Sequence, residues 1–337
     1  MIEFFLNLIM DNENQIDESY CLFGAEAMLS RLDALEQEIS GVIKAEDIEC
    51  IHRMRVASRR LRSAFALFEA CFPKKDARKW RKQIRRVTRS LGSARDLDVQ
   101  IDFLKEFLSN LTEPRHAPGV KRILLRLQQQ RDKLQSDVIS TMQNLQSGGI
   151  LEEIKGALRM TCNYGRLHNE EGYSQQVYNQ AYREITTCFD DFLFYERYIN
   201  DPSRMNEIHL MRICAKRLRY TMEVFAQIYE DELDKPIKAI KETQTLLGDF
   251  HDCFIWIESL DQFLEQEKIR TLEYFGNIKA FSRLKSGIIY LQEDKKKQQI
   301  EKHKEFLKFW ENTQDKDVWG ELIRYIYRHF SDKGAIL

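Results

Sequence analysis

Two stretches of nearly identical chemistry recur in this chain, IHRMRVASRRLR from Ile51 to Arg62 and IHLMRICAKRLR from Ile208 to Arg219. In each, a histidine after the leading isoleucine heads a row of cations three or four residues apart. At about 100° per helical residue, His52, Arg55, Arg59 and Arg62 fall within about 80° of one another on a single face. His209, Arg212, Lys216 and Arg219 do the same in the second copy. Met54, Ala57, Leu61, Phe65 and Phe68 back the first ladder, and Met211, Cys214, Leu218, Met222 and Phe225 back the second. Arg60 and Arg217 point to one flank. Like charges at this spacing repel by a few tenths of a kcal/mol per pair, and no acid is interspersed in either ladder. The compensating charge must come from outside the helix. A planar guanidinium fork matches phosphate oxygens, so the expected ligand is a phosphate-rich polyanion.

The following helix reinforces each ladder. Between Lys74 and Arg89, Trp80, Ile84, Val87 and Leu91 form an apolar stripe, and Arg78, Arg81, Lys82, Arg85 and Arg89 cover the other side. The second copy carries Lys235, Lys238 and Lys241, but Glu242 stands in the place of Arg86 and Thr245 in that of Arg89. His251 replaces Arg95, which keeps a donor at that position. Asp96 and Asp252 read as caps or as partners for arginine rather than as catalysts.

No glycine-rich phosphate loop, GxSxG, HExxH or Cys/His spacing is present. Metal-dependent triphosphate chemistry would need clustered carboxylates aimed into the basic site. The ladders hold none, and the chain lacks a Glu-x-Glu-x-Lys motif. Binding without turnover is expected, with no catalytic residue, metal ligand or cofactor. Single-stranded nucleic acid is usually gripped by stacking aromatics, yet Phe65, Phe68, Trp80 and Phe225 lie on the apolar stripes. A duplex reader would show Asn, Gln and Arg mixed on an exposed face. Nucleic acid is therefore the weaker expectation, and a chain of bare phosphates the stronger.

The elements that must position these residues are helices. The chain has 337 residues, 43% hydrophobic and 31% charged, with only 14 Gly and 5 Pro, a composition that favours helix throughout. Apolar periodicity predicts helices near 17–40, 46–71, 75–91, 94–110, 118–146, 150–164, 174–199, 204–230, 234–247, 250–267, 271–313 and 316–331. No period-two alternation competes. The formal charge of −1 balances 52 basic against 53 acidic residues, but the segment from His52 to Arg95 holds fifteen Lys or Arg and only two acids. Such segregation predicts one strongly positive surface.

The repeat extends beyond the ladders. LGSARDLDV (Leu91–Val99) corresponds to LGDFHDCFI (Leu247–Ile255), and LRLQQQRDK (Leu125–Lys133) more weakly to IYLQEDKKK (Ile289–Lys297). The period is too long for a solenoid and fits duplication of a helical bundle. The expected organisation is an N-terminal segment, 1–16, followed by one domain, 17–330, in two halves of about 17–165 and 174–330. Seven scattered cysteines without CxxC spacing suggest free buried thiols in a reducing compartment. The opening MIEFFLNLIM lacks a basic region and is a poor signal peptide. No 18-residue apolar run is present, so no span and no membrane partner are expected.

The ordered pair HRMRVASRRLR…LGSARDLDV and HLMRICAKRLRY…LGDFHD resembles the CHAD family, the conserved-histidine α-helical domain, as a stand-alone member. The resemblance implies two four-helix-type bundles related by a pseudo-two-fold around a basic central cavity that binds inorganic polyphosphate. It also implies association with intracellular polyphosphate granules, and hence a cytoplasmic place. An alternative reading, beside a nucleic-acid backbone scaffold, is a regulatory subunit that delivers polyphosphate to a partner polyphosphate-metabolising enzyme. Carried over by position, the ligands would be His52, Arg55, Arg59, Arg62, Lys82, Arg85 and Arg89, then His209, Arg212, Lys216, Arg219, Lys238 and Lys241. Thr245 departs from the pattern.

Overall fold

In the computed structural model, residues 17–44, 47–168 and 173–332 are described; the segment 1–16 lies outside them. Among the described residues there are eleven α-helices and no strand. They are α1 (Glu18–Gln37), α2 (Ile39–Lys44), α3 (Ile48–Leu67), α4 (Lys74–Ser109), α5 (Ala117–Ser147) and α6 (Ile150–His168), then α7 (Gln175–Leu193), α8 (Met205–Phe225), α9 (Asp234–Phe275), α10 (Phe281–Asp315) and α11 (Val318–Asp332). The all-α expectation holds.

Local chemistry starts the first ladder helix where it does. Asp47 caps α3 by accepting a hydrogen bond from the Glu49 amide at 2.8 Å, which satisfies one of the orphan donors of a helix start. Pro73 immediately precedes α4. Burial then selects the faces. Met54, Leu61, Phe65 and Phe68 on the first ladder segment, and Met211, Leu218, Met222 and Phe225 on the second, are fully enclosed, so the cationic sides turn away from the core.

Several expectations about boundaries need correction. The separate helices at 75–91 and 94–110 are one helix, α4, and those at 234–247 and 250–267 are one helix, α9. Gly92 and Gly248 do not break them. A single interior glycine costs about 1 kcal/mol, and burial of Leu91, Ala94, Leu247 and Phe250 around them outweighs that. The break falls instead at Gly276, inside the single helix expected over 271–313, which is divided between the end of α9 and α10; its φ of 68° ends α9 in the left-handed conformation that glycine adopts without strain.

The order of packing repeats. In the first half α1 packs on α3, α3 on α4, α4 on α5, and α1 on α6; in the second α7 packs on α8, α8 on α9, α9 on α10, and α7 on α11. The main contacts between halves join equivalent helices, α1 with α7, α3 with α8 and α5 with α10, as a two-fold relation generates. A continuous core runs through both halves. Phe23 of α1 stacks on Phe225 of α8 at 5.6 Å, and Phe68, just past α3, meets the same Phe225 at 6.0 Å. A second cluster of Leu104, Val120, Ile123, Trp256, Leu260, Ile288 and Leu291 joins the far ends of α4, α5, α9 and α10. There Arg122 and Arg126 of α5 reach the buried Glu267 of α9 at 3.5 and 2.9 Å, a charged tie between the halves.

The cysteines depart from the expectation of seven thiols. Cys21 in α1 and Cys71 after α3 form a disulfide. The packing of α1 on α3 sets their Cα atoms 5.4 Å apart, within bridging reach, a juxtaposition that linear spacing does not reveal.

Candidate anion-binding site

Where α3 packs on α8, the two ladders converge. Arg59 is held below its ordinary guanidinium value, first by burial and then by Arg55 and by Arg219 of the other half, against opposing effects of Tyr220 and Asp96. Lys216 is lowered to about 8 by burial and by Arg59, Arg212, Arg55 and Arg62. Arg212 is lowered by burial and by Arg59, with Asp252 and Asp96 opposing. Each half therefore feels the cations of the other. Arg55, Arg59, Arg62, Arg212, Lys216 and Arg219 form one electrostatic unit.

The adjacent helices contribute unequally. Arg62 is depressed by burial and then by Arg85, Arg59, Arg81 and Arg89, so Arg85 and Arg89 of α4 extend the cluster. Lys82, Lys238 and Lys241, candidates by repeat position, are exposed on α4 and α9, as Arg85 and Arg89 are. Arg81 is drawn off by an ion pair with Glu69.

The histidines sit at the start of each ladder. His52 is half-buried and shifted down by burial and by Arg95, with Arg55 and Arg53 adding and Glu49 opposing. His209 lies 4.0 Å, ring to ring, from His251 of α9. Burial, then His209 and Arg212, lower His251 to about 4. His209 is also lowered, by burial and by Arg212 and Lys216. The Nδ1 atoms of both rings, together with Arg212 Nε, are buried and make no hydrogen bond. Buried polar atoms normally find partners, so this corner presents unfilled hydrogen-bonding capacity beside a concentration of positive charge.

Protein carboxylates neutralise only part of the cluster. Asp96 pairs with Arg55 at 3.1 Å, the partner role expected of it, and it does so mid-helix rather than as a cap. Glu223, at the end of α8, pairs with Arg60 at 2.9 Å across the halves and approaches Arg219 at 3.5 Å. Its backbone carbonyl accepts a hydrogen bond from Arg31 at 3.2 Å. Glu223, Arg31 and Tyr220, over whose ring the Arg219 guanidinium sits at 4.7 Å, were not legible as site residues. Glu223 and Tyr220 have no like residue in the first ladder, and Arg31 is a lone cation on another helix.

A pocket of about 240 Å³ lined by Gln83, Arg86, Val87, Thr141, Asn144 and Leu145 includes no ladder residue and one charge. Among the described residues no three His, Cys, Asp or Glu side chains meet as a metal site requires, and no helix is long and apolar enough to cross a membrane.

A family model described as the CHAD domain matches residues 26–261. The chain belongs to the CHAD family. Two uncharacterized proteins of Mycobacterium tuberculosis, one from each of two strains, are 25% identical to this CHAD protein over 236 residues, 65% of the chain. The match spans 41% of the length of those curated relatives. Among solved structures, the CHAD domain from the plant Ricinus communis superposes with a TM-score of 0.54 at 22% identity, covering 78% of this chain and 91% of its own. PptA from Streptomyces chartreusis gives 0.52 at 12% identity, covering 85% and 99% respectively. At these identities the structures show a shared fold alone. The family match ends within α9, so α10 and α11 follow it.

Proposed function

We propose that this CHAD protein binds inorganic polyphosphate, without turnover, along the joined ladders of α3 and α8. The observation that carries the reading is the convergence of six cations from two halves, close enough to push Lys216 to about 8, with Asp96 and Glu223 as the carboxylates paired to them. Packed cations repel one another, and a polyanion removes that repulsion on binding. A repeating phosphate chain presents the same charge to both halves, which suits a site written twice. The buried, unbonded Nδ1 atoms of His209 and His251 supply further donors when protonated.

On this reading His52, Arg55, Arg59, Arg62, Arg85 and Arg89 contact phosphate from the first half, and His209, Arg212, Lys216 and Arg219 from the second. Lys82, Lys238 and Lys241 act at most as outer, diffuse attraction. Placement in the cytoplasm at polyphosphate granules, and delivery of the polymer to polyphosphate-metabolising enzymes, belong to the same proposal. In a reducing cytoplasm this placement requires Cys21 and Cys71 to stand as two adjacent thiols rather than as the bridge.

The test is calorimetric titration with medium-length polyphosphate and with single-stranded RNA, each at two salt concentrations. The expected result is tight polyphosphate binding that weakens steeply with salt, because condensed counterions are released on association, with RNA much weaker. Equal affinity at equal phosphate concentration would turn the site into a general reader of phosphate density. Absence of heat with both ligands would leave the ladders without an anion to bind, and phosphate release by the purified chain would reveal a catalyst.

A further inference from the structure

Every residue from Leu272 to Ala280 is exposed, at the turn where α9 ends and the chain heads back into α10. The segment is not polar, as an exposed turn usually is. Leu272, Tyr274, Phe275 and Ile278 are 51%, 82%, 56% and 51% exposed, and Ile269, one turn earlier, is 48% exposed. Scattered exposed apolar residues need no explanation, whereas a contiguous group of this kind marks a contact surface.

The repeat shows that this group is an addition. By position, the end of α4 at Ser109 corresponds to Glu265, yet α9 continues to Phe275, about 15 Å further along its axis. The equivalent turn of the first half, Asn110 to Arg115, contains Leu111 as its one large apolar residue, and that residue is half-buried. The family match ends at residue 261, so the projecting tip lies beyond it.

Cations surround the tip. Lys279, Arg283 and Lys285 are exposed, and among the described residues none of the three is ion-paired. Lys268 pairs with Glu265 at 3.7 Å, and Arg270 is spent on the buried Glu267 at 2.7 Å. Glu273 is the one acid between Lys268 and Lys285. The surface is thus a convex, apolar finger with a basic collar.

We infer that this finger inserts into the headgroup region of an anionic lipid surface. Aromatic and aliphatic side chains enter the interface while adjacent Lys and Arg meet lipid phosphates, the combination that holds peripheral proteins on such membranes. A second copy of the chain suits the finger poorly, because like collars would face each other and two convex tips bury little area. The sequence-level expectation of no membrane partner rested on spanning length, which a surface finger does not need.

The experiment is sedimentation of the full chain with vesicles of phosphatidylcholine mixed with phosphatidylglycerol, against phosphatidylcholine alone. Binding is expected only with the anionic lipid. The double variant Tyr274→Ser/Phe275→Ser should lower the vesicle-bound fraction by roughly tenfold or more, with helicity and polyphosphate affinity unchanged. The ladders could also attract vesicles, so Arg55→Ala/Arg59→Ala/Arg212→Ala/Lys216→Ala is the control, and it should still sediment. Emission from Phe275→Trp should shift to the blue on anionic vesicles. The inference is overturned if vesicles do not bind, if the finger variant sediments like the parent, or if only the ladder variant loses binding. A concentration-dependent dimer that the finger variant abolishes, without sedimentation, would assign the tip to a second copy and overturn it equally.

Discussion

The two ladders occupy equivalent helices and differ in what holds their charge. The first is built almost wholly of arginine, with Arg55 engaged by Asp96 at 3.1 Å and Arg62 crowded by Arg85 and Arg89. Guanidinium remains charged at any pH the protein meets. The second substitutes lysine for arginine at 216 and histidine at 251, and there the titratable groups, Lys216 at about 8 and His251 at about 4, are depressed most. One half is a permanent clamp, and the other is adjustable. The ladder pattern is written twice, and Lys216 and His251 make the two copies unequal in proton affinity.

Removing both ladders tests the shared property. The quadruple variant Arg55→Ala/Arg59→Ala/Arg212→Ala/Lys216→Ala should lower polyphosphate affinity by at least about a thousandfold, since each charged hydrogen bond contributes on the order of 1.5–3 kcal/mol. Circular dichroism should show unchanged helicity. Affinity like that of the parent would refute the assignment of the site.

Single substitutions then separate the halves. Lys216→Met should weaken binding by about tenfold or more and at the same time stabilise the free protein, because a cation held among like charges opposes folding. The unfolded lysine titrates near 10.4, above its folded value of about 8. Between these values the unfolded state binds more protons, so stability in this window rises with pH. Below it, at neutral pH, the full cost of the ammonium is present, about 1 kcal/mol once the remaining water contact is allowed for. Chemical denaturation at pH 7 measures the gain.

Polyphosphate favours the charged lysine, so parent affinity should fall as pH rises through about 8, and Lys216→Arg should flatten that limb. At the acid end, affinity should grow as pH falls through the range in which ligand charges His251. His251→Arg, which copies Arg95 of the first half, should shrink that limb to the share of His52 and His209 and strengthen neutral-pH binding several-fold. Titrations from pH 5 to 9 read both effects.

The smallest effects concern the mid-helix glycines. A methyl group at Gly92 would stand 3.8 Å from Arg55 Nε, an ordinary contact, and at Gly248 it would meet nothing within 4 Å. Each Gly→Ala change should stabilise the free protein by about 0.5–1 kcal/mol, measured by thermal denaturation. A larger loss of polyphosphate affinity at Gly92 than at Gly248 would show that the chain lies closer to the arginine half.

Much of this arrangement was legible in the residues themselves. Ladder faces, apolar backs and the repeat follow from 3.6-residue periodicity, and burial of Met54, Leu61, Met211 and Leu218 agrees with them. Continuity of α4 and α9 was not legible, because glycine's local preference opposes tertiary burial that lies far away in sequence. The Cys21–Cys71 bridge and the Glu223 contacts to Arg60 and Arg31 depend on how helices meet, which periodicity within one helix does not encode.

The core shared by the two halves also sets a gauge. Phe225 is packed against both Phe23 and Phe68 where the two ladder helices end, so these helices cannot separate there without prising apart aromatic rings. On the proposed reading, a ligand that touches both rows of cations must therefore meet them at a fixed separation. Girth would then become a selection rule, and a single strand of phosphates and a wide double helix of similar charge would not be equivalent ligands.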